Sequence, residues 1–360
     1  MRPIFSAFPT LALPWENLGV FPTPLEALDD VVPGGRAFIK RDDLTSPIYG
    51  GNKVRTLETL FGQAKAEGAT HIYSTGAFGS NHATATVLHA ARAGLRPGVA
   101  VFPQPKSATA AANLKTMLTH RPELVALRHW SLLPVGIGIA HRRHRDDERA
   151  FVMVPGGATP RGGLGYVSAA LELAEQLAQR AGPEPSAIAI GVGSTCTSAG
   201  LLYGLWLARK LGHFPKGAPA LVSVRVTPWP ITSPVRIVRL AVAIGRSLAA
   251  AVGDDSLEPT YRALRANLRV DGRALGRGYG KPTRAGREAI ERFAAHPGLR
   301  LDTTYSAKAA VGFLRCLEEV EGPVIFWSTK SSVELPVGDA GIEWAPGFVQ
   351  EWLRRAEQRP

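Results

Sequence analysis

Lys53 stands where a positive charge is least welcome, directly after Gly50, Gly51 and Asn52 and ahead of an apolar repeat of Val54, Leu57, Leu60, Phe61 and Ala64 that stops at Gly68. The repeat predicts a helix over 53–67 with Lys53 in its first turn. Unpaired N–H groups make a helix start partly positive, so an ammonium there is disfavoured. A surface lysine reaching into water is the plainest reading of such a residue taken alone. A neutral amine can instead attack an aldehyde and form a Schiff base, and other residues supply what that aldehyde would need. The run GSTCTS at 193–198 lies between an apolar stretch and a helical pattern, so its hydroxyls and N–H groups make a cradle for a phosphate. It has neither the lysine of a P-loop nor GxGxxG spacing, which disfavours ATP and NAD. Two phenols, Tyr279 in GRGYGKPTRAG and Tyr305 in LDTTYSAKAA, sit in glycine-rich or helix-starting surroundings, although a tyrosine is more commonly a packing residue. Ser80, Asn81 and His82 open a further helix, and capping alone would account for Ser80 or Asn81.

Those groups need a scaffold that gathers several strand-to-helix joints. Apolar β-rich runs at 36–41, 70–75, 98–102, 151–154, 187–192, 221–226 and 323–328 predict strands. Helical patterns alternate with them at 53–67, 81–93, 107–119, 163–181, 199–211, 257–268, 283–295 and 306–319. The alternation predicts an α/β protein with parallel sheets, in which ligands collect at the carboxyl ends of strands. No element is expected over 121–150.

The chain has 360 residues, 45% hydrophobic and 20% charged, which is ordinary globular material and long enough for two domains. Its two cysteines, Cys196 and Cys316, make neither a disulfide framework nor a zinc site, and no metal is expected. The N-terminal stretch is broken by Pro3, Pro9 and Pro14 and carries no secretion signal; no apolar run is long enough to span a bilayer. A cytoplasmic protein without a membrane partner is expected. The net charge of +12 raises nucleic acid as a partner. The arginines from Arg236 to Arg284 are interleaved with apolar residues, however, as on solvated helix faces, and the one tight cluster, HRRHRDDER at 141–149, contains its own acids. Attraction for small anions is expected instead, and no nucleic acid.

A lysine, a phosphate cradle and phenols together ask for an aldehyde that carries a phosphate, and pyridoxal 5′-phosphate (PLP) is such an aldehyde. At this point the sequence resembles the D-cysteine desulfhydrase and 1-aminocyclopropane-1-carboxylate (ACC) deaminase group of fold-type II PLP enzymes. The resemblance runs from FPTPLEAL at residue 21 to FWST at 329, and its most specific block is IKRDDLTSPIYGGNKVRTLE with STGAFGSNHATATVLHAARAGL. PGGATPRGGLGY, GRGYG and TTYSAK follow in the family's order.

The resemblance implies a tryptophan synthase β-like α/β fold of two open parallel-sheet domains with the cofactor in the cleft. Residues 1–53 and 166–360 would form the large domain and 54–165 the small one, in a homodimer. Lys53 would be the Schiff-base lysine, Asn81 would meet the cofactor's ring hydroxyl oxygen, and the backbone at Gly193, Ser194, Thr195, Cys196 and Thr197 would hold its phosphate. Ser306 or Thr329 would meet the pyridine nitrogen. Ser80 would be the active-site serine, with Tyr279 and Tyr305 as phenols that help move protons, and the helix start at Ser80, Asn81 and His82 would bind a substrate carboxylate.

Departures from the family pattern bear on the reaction. The deaminase branch carries a carboxylate where this chain has Ser306 and a glutamine where it has His82. A hydroxyl cannot hold the ring nitrogen protonated as a carboxylate can, so the ring is a weaker electron sink. The pattern leans to α,β-elimination or β-replacement on a small amino acid, as in the desulfhydrase branch, with ACC-like ring opening as the alternative. Thr195 and Cys196 replace glycines of GSGGT, which such loops use for positive φ and close approach. Cys196 is expected as a small packed residue. HTGG reads Ser328-Thr329-Lys330-Ser331; Lys330 either brings a positive charge towards the cofactor region or faces solvent, and the second is the plainer reading. Drift at both loops leaves a catalytically silent PLP-fold protein as the other alternative, while retention of Lys53, Tyr279 and Tyr305 favours an enzyme.

Overall fold

The computed structural model describes residues 1–144, 148–180, 182–335 and 341–358. Arg145, Asp146 and Asp147 of the charged cluster, and residue 181 of an expected helix, lie outside the described residues. The strands are β1 (Leu25–Ala27), β2 (Ala37–Arg41), β3 (His71–Ala77), β4 (Arg96–Phe102), β5 (Glu123–Ala126), β6 (Ala150–Val152), β7 (Ala187–Val192), β8 (Ala220–Arg225), β9 (Leu268–Asp271) and β10 (Val324–Ser328). The helices are α1 (Pro3–Ala7), α2 (Asn52–Ala66), α3 (Asn81–Ala90), α4 (Ala108–Thr119), α5 (Leu133–Arg143), α6 (Pro160–Ala178), α7 (Cys196–Lys210), α8 (Pro234–Val252), α9 (Tyr261–Ala266), α10 (Arg284–Phe293), α11 (Ser306–Glu319) and α12 (Gly347–Glu357).

They build two open sheets. One is 6-stranded in the order β1-β2-β10-β7-β8-β9, parallel except for β1; the other is 4-stranded and parallel in the order β5-β4-β3-β6. The central strands β7 and β10 are apolar on both faces because helices cover both. Ile188, Ile190, Ile325 and Trp327 pack toward α6, α7 and α8, whereas Ala187, Ala189, Val324 and Phe326 pack toward α10 and α11. That is the two-residue period of a strand read from both sides. α12 packs on α4 of the smaller sheet through Val349, Trp352 and Leu353. No helix of the described residues is long and apolar enough to cross a membrane.

Some elements depart from expectation for local reasons. β5 and α5 occupy part of the stretch 121–150 that was expected to be without elements. β5 is short, and α5 carries Gly136 and Gly138, which weaken its helical signal. α8 was not expected as a helix, although Ser233 caps it by accepting from Arg236 N, Pro234 begins it and Gly253 ends it with φ 77°. Its alternation of arginines with apolar residues is the solvated helix face foreseen, attached to a buried one. The expected helix over 257–268 shrinks to α9, because Leu268 begins the edge strand β9.

Beneath the strand ends lies a buried ionic network drawn from the KRDD run. Arg55 donates to Asp42 from Nε at 2.9 Å and from Nη2 at 2.8 Å, and to Glu172 from Nη1 at 3.0 Å and Nη2 at 2.9 Å. Asp42 also accepts from Tyr166 Oη at 2.7 Å, Trp327 Nε1 at 2.8 Å and Thr23 Oγ1 at 2.9 Å. Lys40 donates to Glu172 and to Thr23 O. Burial alone would raise the Glu172 carboxyl, but Arg55 and Lys40 overcome it and hold the pKa at about 2. The network clamps α2 and α6 to β2 and β10, and so fixes the start of α2.

Candidate active site

At that start Gly51 adopts φ 94°, a conformation that glycine tolerates, and a Cβ there would come 2.6 Å from Thr329 O. Asn52 N donates to Thr329 O at 2.9 Å, and Gly51 bridges Lys330. Lys53 follows, partly buried, with Nζ 3.4 Å from Gly156 O and 3.5 Å from Ser194 Oγ. These contacts are long, so the amine is held loosely. Burial lowers its pKa, with Cys196 opposing. The neutral amine expected from the helix start is therefore supported chiefly by desolvation, and the helix dipole adds in the same direction.

Facing Lys53 is the loop between β7 and α7. Thr195 has φ 74° and precedes α7 in the left-handed region, where a β-branched residue is strained and a glycine would not be. The first N–H groups of α7 have no partners within the helix and are free for an anion. Thr197 Oγ1 accepts from Asn52 Nδ2 at 2.9 Å, which ties this loop to the start of α2, and Thr227 Oγ1 donates to Gly193 O at 3.1 Å. Cys196 is buried, donates Sγ to Gly157 O at 3.2 Å, and has its pKa raised by burial, so it is a packed thiol. Gly156, at φ 69°, lies where a Cβ would collide with Ser194 Oγ, so the glycine pair of PGGATP leaves room between the lysine and the loop.

On the other side of the cleft Ser80 caps α3, its Oγ accepting from Ala83 N at 3.3 Å. Asn81 Oδ1 accepts from Tyr49 Oη at 3.0 Å and from Asn113 Nδ2 at 2.8 Å. The amide nitrogen of Asn81 donates to no group among the described residues. His82 turns inward. Its ring is 1% exposed, neither nitrogen has a hydrogen-bond partner among the described residues, and a Cβ on Gly157 would lie 3.3 Å from its Cε1. Burial, with Lys53 nearby, holds its pKa well below the ordinary value, so the ring is neutral. Lys330 Nζ donates to Tyr49 Oη at 3.3 Å. The solvent-facing reading of Lys330 is thus corrected: its backbone bridges Gly51, which sets its side chain over the Tyr49 ring.

Tyr279 and Tyr305 meet, Oη to Oη, at 2.6 Å. Burial raises both phenols, and Tyr305 is raised further by Tyr279, Asp302 and Tyr49, so the pair stays protonated at neutral pH. A Cβ on Gly193 would lie 3.3 Å from Tyr305 Cε1, which sets the pair against the phosphate-type loop. The Ser306 hydroxyl donates to Asp302 Oδ1 at 2.7 Å and accepts from Asp302 N at 2.6 Å. The Thr329 hydroxyl makes no hydrogen bond among the described residues, so it is the freer of the two candidates for the pyridine nitrogen.

The residues singled out from the sequence therefore gather in one cleft at the carboxyl ends of β3, β7 and β10. Tyr49, Asn113 and Gly156 were not foreseen there, and Lys330 was the less favoured of two alternatives; the polar Asn113 inside the apolar pattern ATAAANLKTML was the available signal. Far from the cleft, at the opposite ends of β3 and β5, His71, Glu123 and His144 bring three metal-ligating groups together. The two imidazole rings stack 3.8 Å apart at 24°, and His144 Nε2 is engaged with Glu123 and Tyr73. Near-parallel rings do not converge on one ion.

Buried neutral imidazoles make a prediction about acid. Burial depresses the pKa values of His71, His82 and His89. Near pH 6.5 the unfolded chain takes up protons there while the folded one does not, so stability rises with pH through this window. The melting temperature of the cofactor-free protein is expected to fall between pH 7.5 and 5.5, above the range where carboxylates protonate. Thermal denaturation across that range checks this, and a flat profile would contradict neutral burial.

An amine of lowered pKa, a row of free N–H groups, an outward amide donor and a free hydroxyl fit PLP as a donor set. Residues 16–329 match the family model described as pyridoxal-phosphate dependent enzyme. The chain is 33% identical over 344 residues to nocardicin C-9′ epimerase of Nocardia uniformis subsp. tsuyamanensis, covering 90% of this chain and 94% of that protein. It is 32% identical over 325 residues to D-cysteine desulfhydrase of Salmonella paratyphi C, covering 86% and 91%. Among solved structures an ACC deaminase homologue superposes with a TM-score of 0.74 at 27% identity, over 93% of this chain and 96% of that one. O-ureido-L-serine synthase, at 15% identity and a TM-score of 0.56 over 90% and 95%, shares the fold. The chain belongs to the pyridoxal-phosphate dependent enzymes, with a fold-type II architecture, and is a homologue of D-cysteine desulfhydrase and of the ACC deaminase group.

Proposed function

We propose that the enzyme acts on a small amino acid by α,β-elimination, in which the α-proton and the β-substituent depart and water hydrolyses the resulting enamine to a keto acid and ammonia, or by β-replacement, in which a nucleophile takes the place of the departing β-substituent. The observation that supports this reading is that a partly buried amine of lowered pKa and a phenol pair of raised pKa border the same loop, Lys53 at Ser194 and Tyr305 at Gly193. PLP, when bound, supplies the electron sink that makes the substrate α-proton acidic. Lys53 is the residue that would hold it covalently, and its amine would take up the α-proton. Tyr305 and Tyr279 hold protons at Oη for the leaving side of the substrate. Ser80 would sit beside the reacting centre, and the N–H groups at Asn81 and His82 would take the substrate carboxylate, with the inward His82 ring shaping the floor. The backbone of Gly193 to Thr197 would hold the phosphate, Asn81 Nδ2 the ring oxygen, and Thr329 the ring nitrogen; Ser306, committed to Asp302, supports the Tyr305 loop. The absence of a carboxylate at Ser306 favours elimination over ring opening.

A second reading is epimerisation, favoured by the relationship to nocardicin C-9′ epimerase. Lys53 and the phenol pair would then serve as two proton carriers at one α-carbon. We also propose 1–53 with 166–360 as the large domain and 54–165 as the small one, supported by the division of strands between the two sheets. A homodimer in the cytoplasm completes the proposal, with mass measurement in solution as its check.

One experiment separates the reactions. The holoenzyme is incubated in D₂O with D- and L-cysteine, β-chloro-D- and β-chloro-L-alanine, and ACC. Keto acid and ammonia from a β-substituted substrate support elimination. Deuterium at Cα with inversion and without keto acid supports epimerisation, and turnover of ACC alone supports ring opening. Neither exchange nor product with any of them would leave the silent reading.

A further inference from the structure

Lys330 occupies a position where the resembled family has glycine, and its ammonium lies inside the site. The hydrogen bonds from it run in one direction. A lysine ammonium only donates, so Tyr49 Oη accepts from Lys330 and spends its single proton on Asn81 Oδ1. Asn113 Nδ2 is fixed as a donor because it also gives a hydrogen bond to Gly79 O at 2.9 Å. Asn81 Oδ1 therefore receives two donors, and flipping its amide would set NH₂ against NH₂ and against the Tyr49 hydroxyl. The orientation with Nδ2 toward the cleft is enforced by neighbours that cannot reverse. Tyr49, the middle member, is 1% exposed, while Lys330 and Asn81 at the two ends are partly buried. The titratable groups around Tyr49 are Lys330, the phenol of Tyr305, and His89, whose Nε2 is 2.9 Å from Tyr49 O.

We propose that Lys330 and Tyr49 are positioning residues that orient and polarise the Asn81 amide, strengthening its N–H toward the cofactor's ring oxygen. Successive hydrogen bonds polarise one another, so a cation at the far end makes the terminal N–H a better donor. A better donor stabilises the anionic ring oxygen. It also disfavours retention of the proton shared with the adjacent Lys53 Schiff base. The inference rests on the reading of Asn81 as the ring-oxygen partner, and the controls test that reading separately.

The test is a pH titration of the visible band of the PLP-loaded protein, with the PLP dissociation constant measured alongside. Wild type is compared with Lys330→Met, Lys330→Arg, Tyr49→Phe and Asn81→Ala, each shown to melt cooperatively. Lys330→Met is expected to raise the apparent pKa of the band by at least about half a unit, because a nearby positive charge is lost. Lys330→Arg is expected to restore the wild-type value. Tyr49→Phe is expected to match Lys330→Met in the titration and to weaken PLP binding about fivefold, the effect of one net hydrogen bond. Asn81→Ala that leaves both readouts unmoved would refute the placement of Asn81 on the ring oxygen, and the relay with it. Asn81→Ala that moves both, with Lys330→Met unchanged, would overturn the relay alone.

Discussion

Replacing Lys53 with alanine is expected to lower turnover by about 10³-fold or more, since one side chain supplies both the covalent anchor and the base. Borohydride treatment of the PLP-loaded wild type should fix the cofactor on the peptide containing Lys53, and the variant should lack the band. The same substitution is expected not to lower the stability of the cofactor-free protein. Among the described residues Lys53 has two long polar contacts, at 3.4 and 3.5 Å, and burial already disfavours its charge. Removing it relieves a desolvation cost and gives up only long contacts to Gly156 O and Ser194 Oγ, both on partly exposed residues. A variant that loses activity while its melting temperature holds or rises would match this account. Retention of turnover within tenfold would remove Lys53 from the chemistry.

The second large effect lies below the site. Asp42→Ala is expected to destabilise the fold by about 3–5 kcal/mol, the range for removing one partner of a buried ion pair. Asp42 is fully buried and receives Arg55, Tyr166, Trp327 and Thr23, so its loss leaves Tyr166, Trp327 and the Arg55 Nε without an acceptor and removes the nearer of two buried carboxylates that balance the guanidinium, Glu172 alone remaining. Asp42→Asn keeps the shape but offers one acceptor oxygen in place of two, and should fall between wild type and alanine. Urea denaturation of the cofactor-free chain measures both. A loss under about 1 kcal/mol for the alanine variant would mean that the network relaxes or admits water. Because Arg55 lies two residues after Lys53, a weakened network should also loosen the start of α2 and lower PLP affinity.

The KRDD run shows how far sequence reasoning reached. Its match to the family marked the neighbourhood of Lys53, yet Asp42 does no chemistry at the cleft; it pairs with Arg55, 13 residues away, and with Trp327, 285 away. A charge run near a strand end reads as solvated until the strand is known to lie under α6. The same applies to Lys330, whose partner Tyr49 is 281 residues distant.

What the sequence determined by itself was local or periodic. The start of α2 after Gly51, the cap at Ser80 and the apolar strands β7 and β10 follow from forces acting within a few residues, whereas the glycine-like requirement at Thr195 came from the resemblance to GSGGT. The family motifs added the cofactor and the roles of Lys53, Asn81 and the two tyrosines as expectations. Only the tertiary structure decided which hydroxyl is free, because Ser306 is taken by Asp302 and Thr329 is not. It alone turned His82 inward and Lys330 toward the site, and it alone fixed the amide of Asn81 through Tyr49 and Asn113. Hydrogen-bond direction and desolvation depend on which atoms surround a group, and folding brings those atoms from segments far apart in the chain.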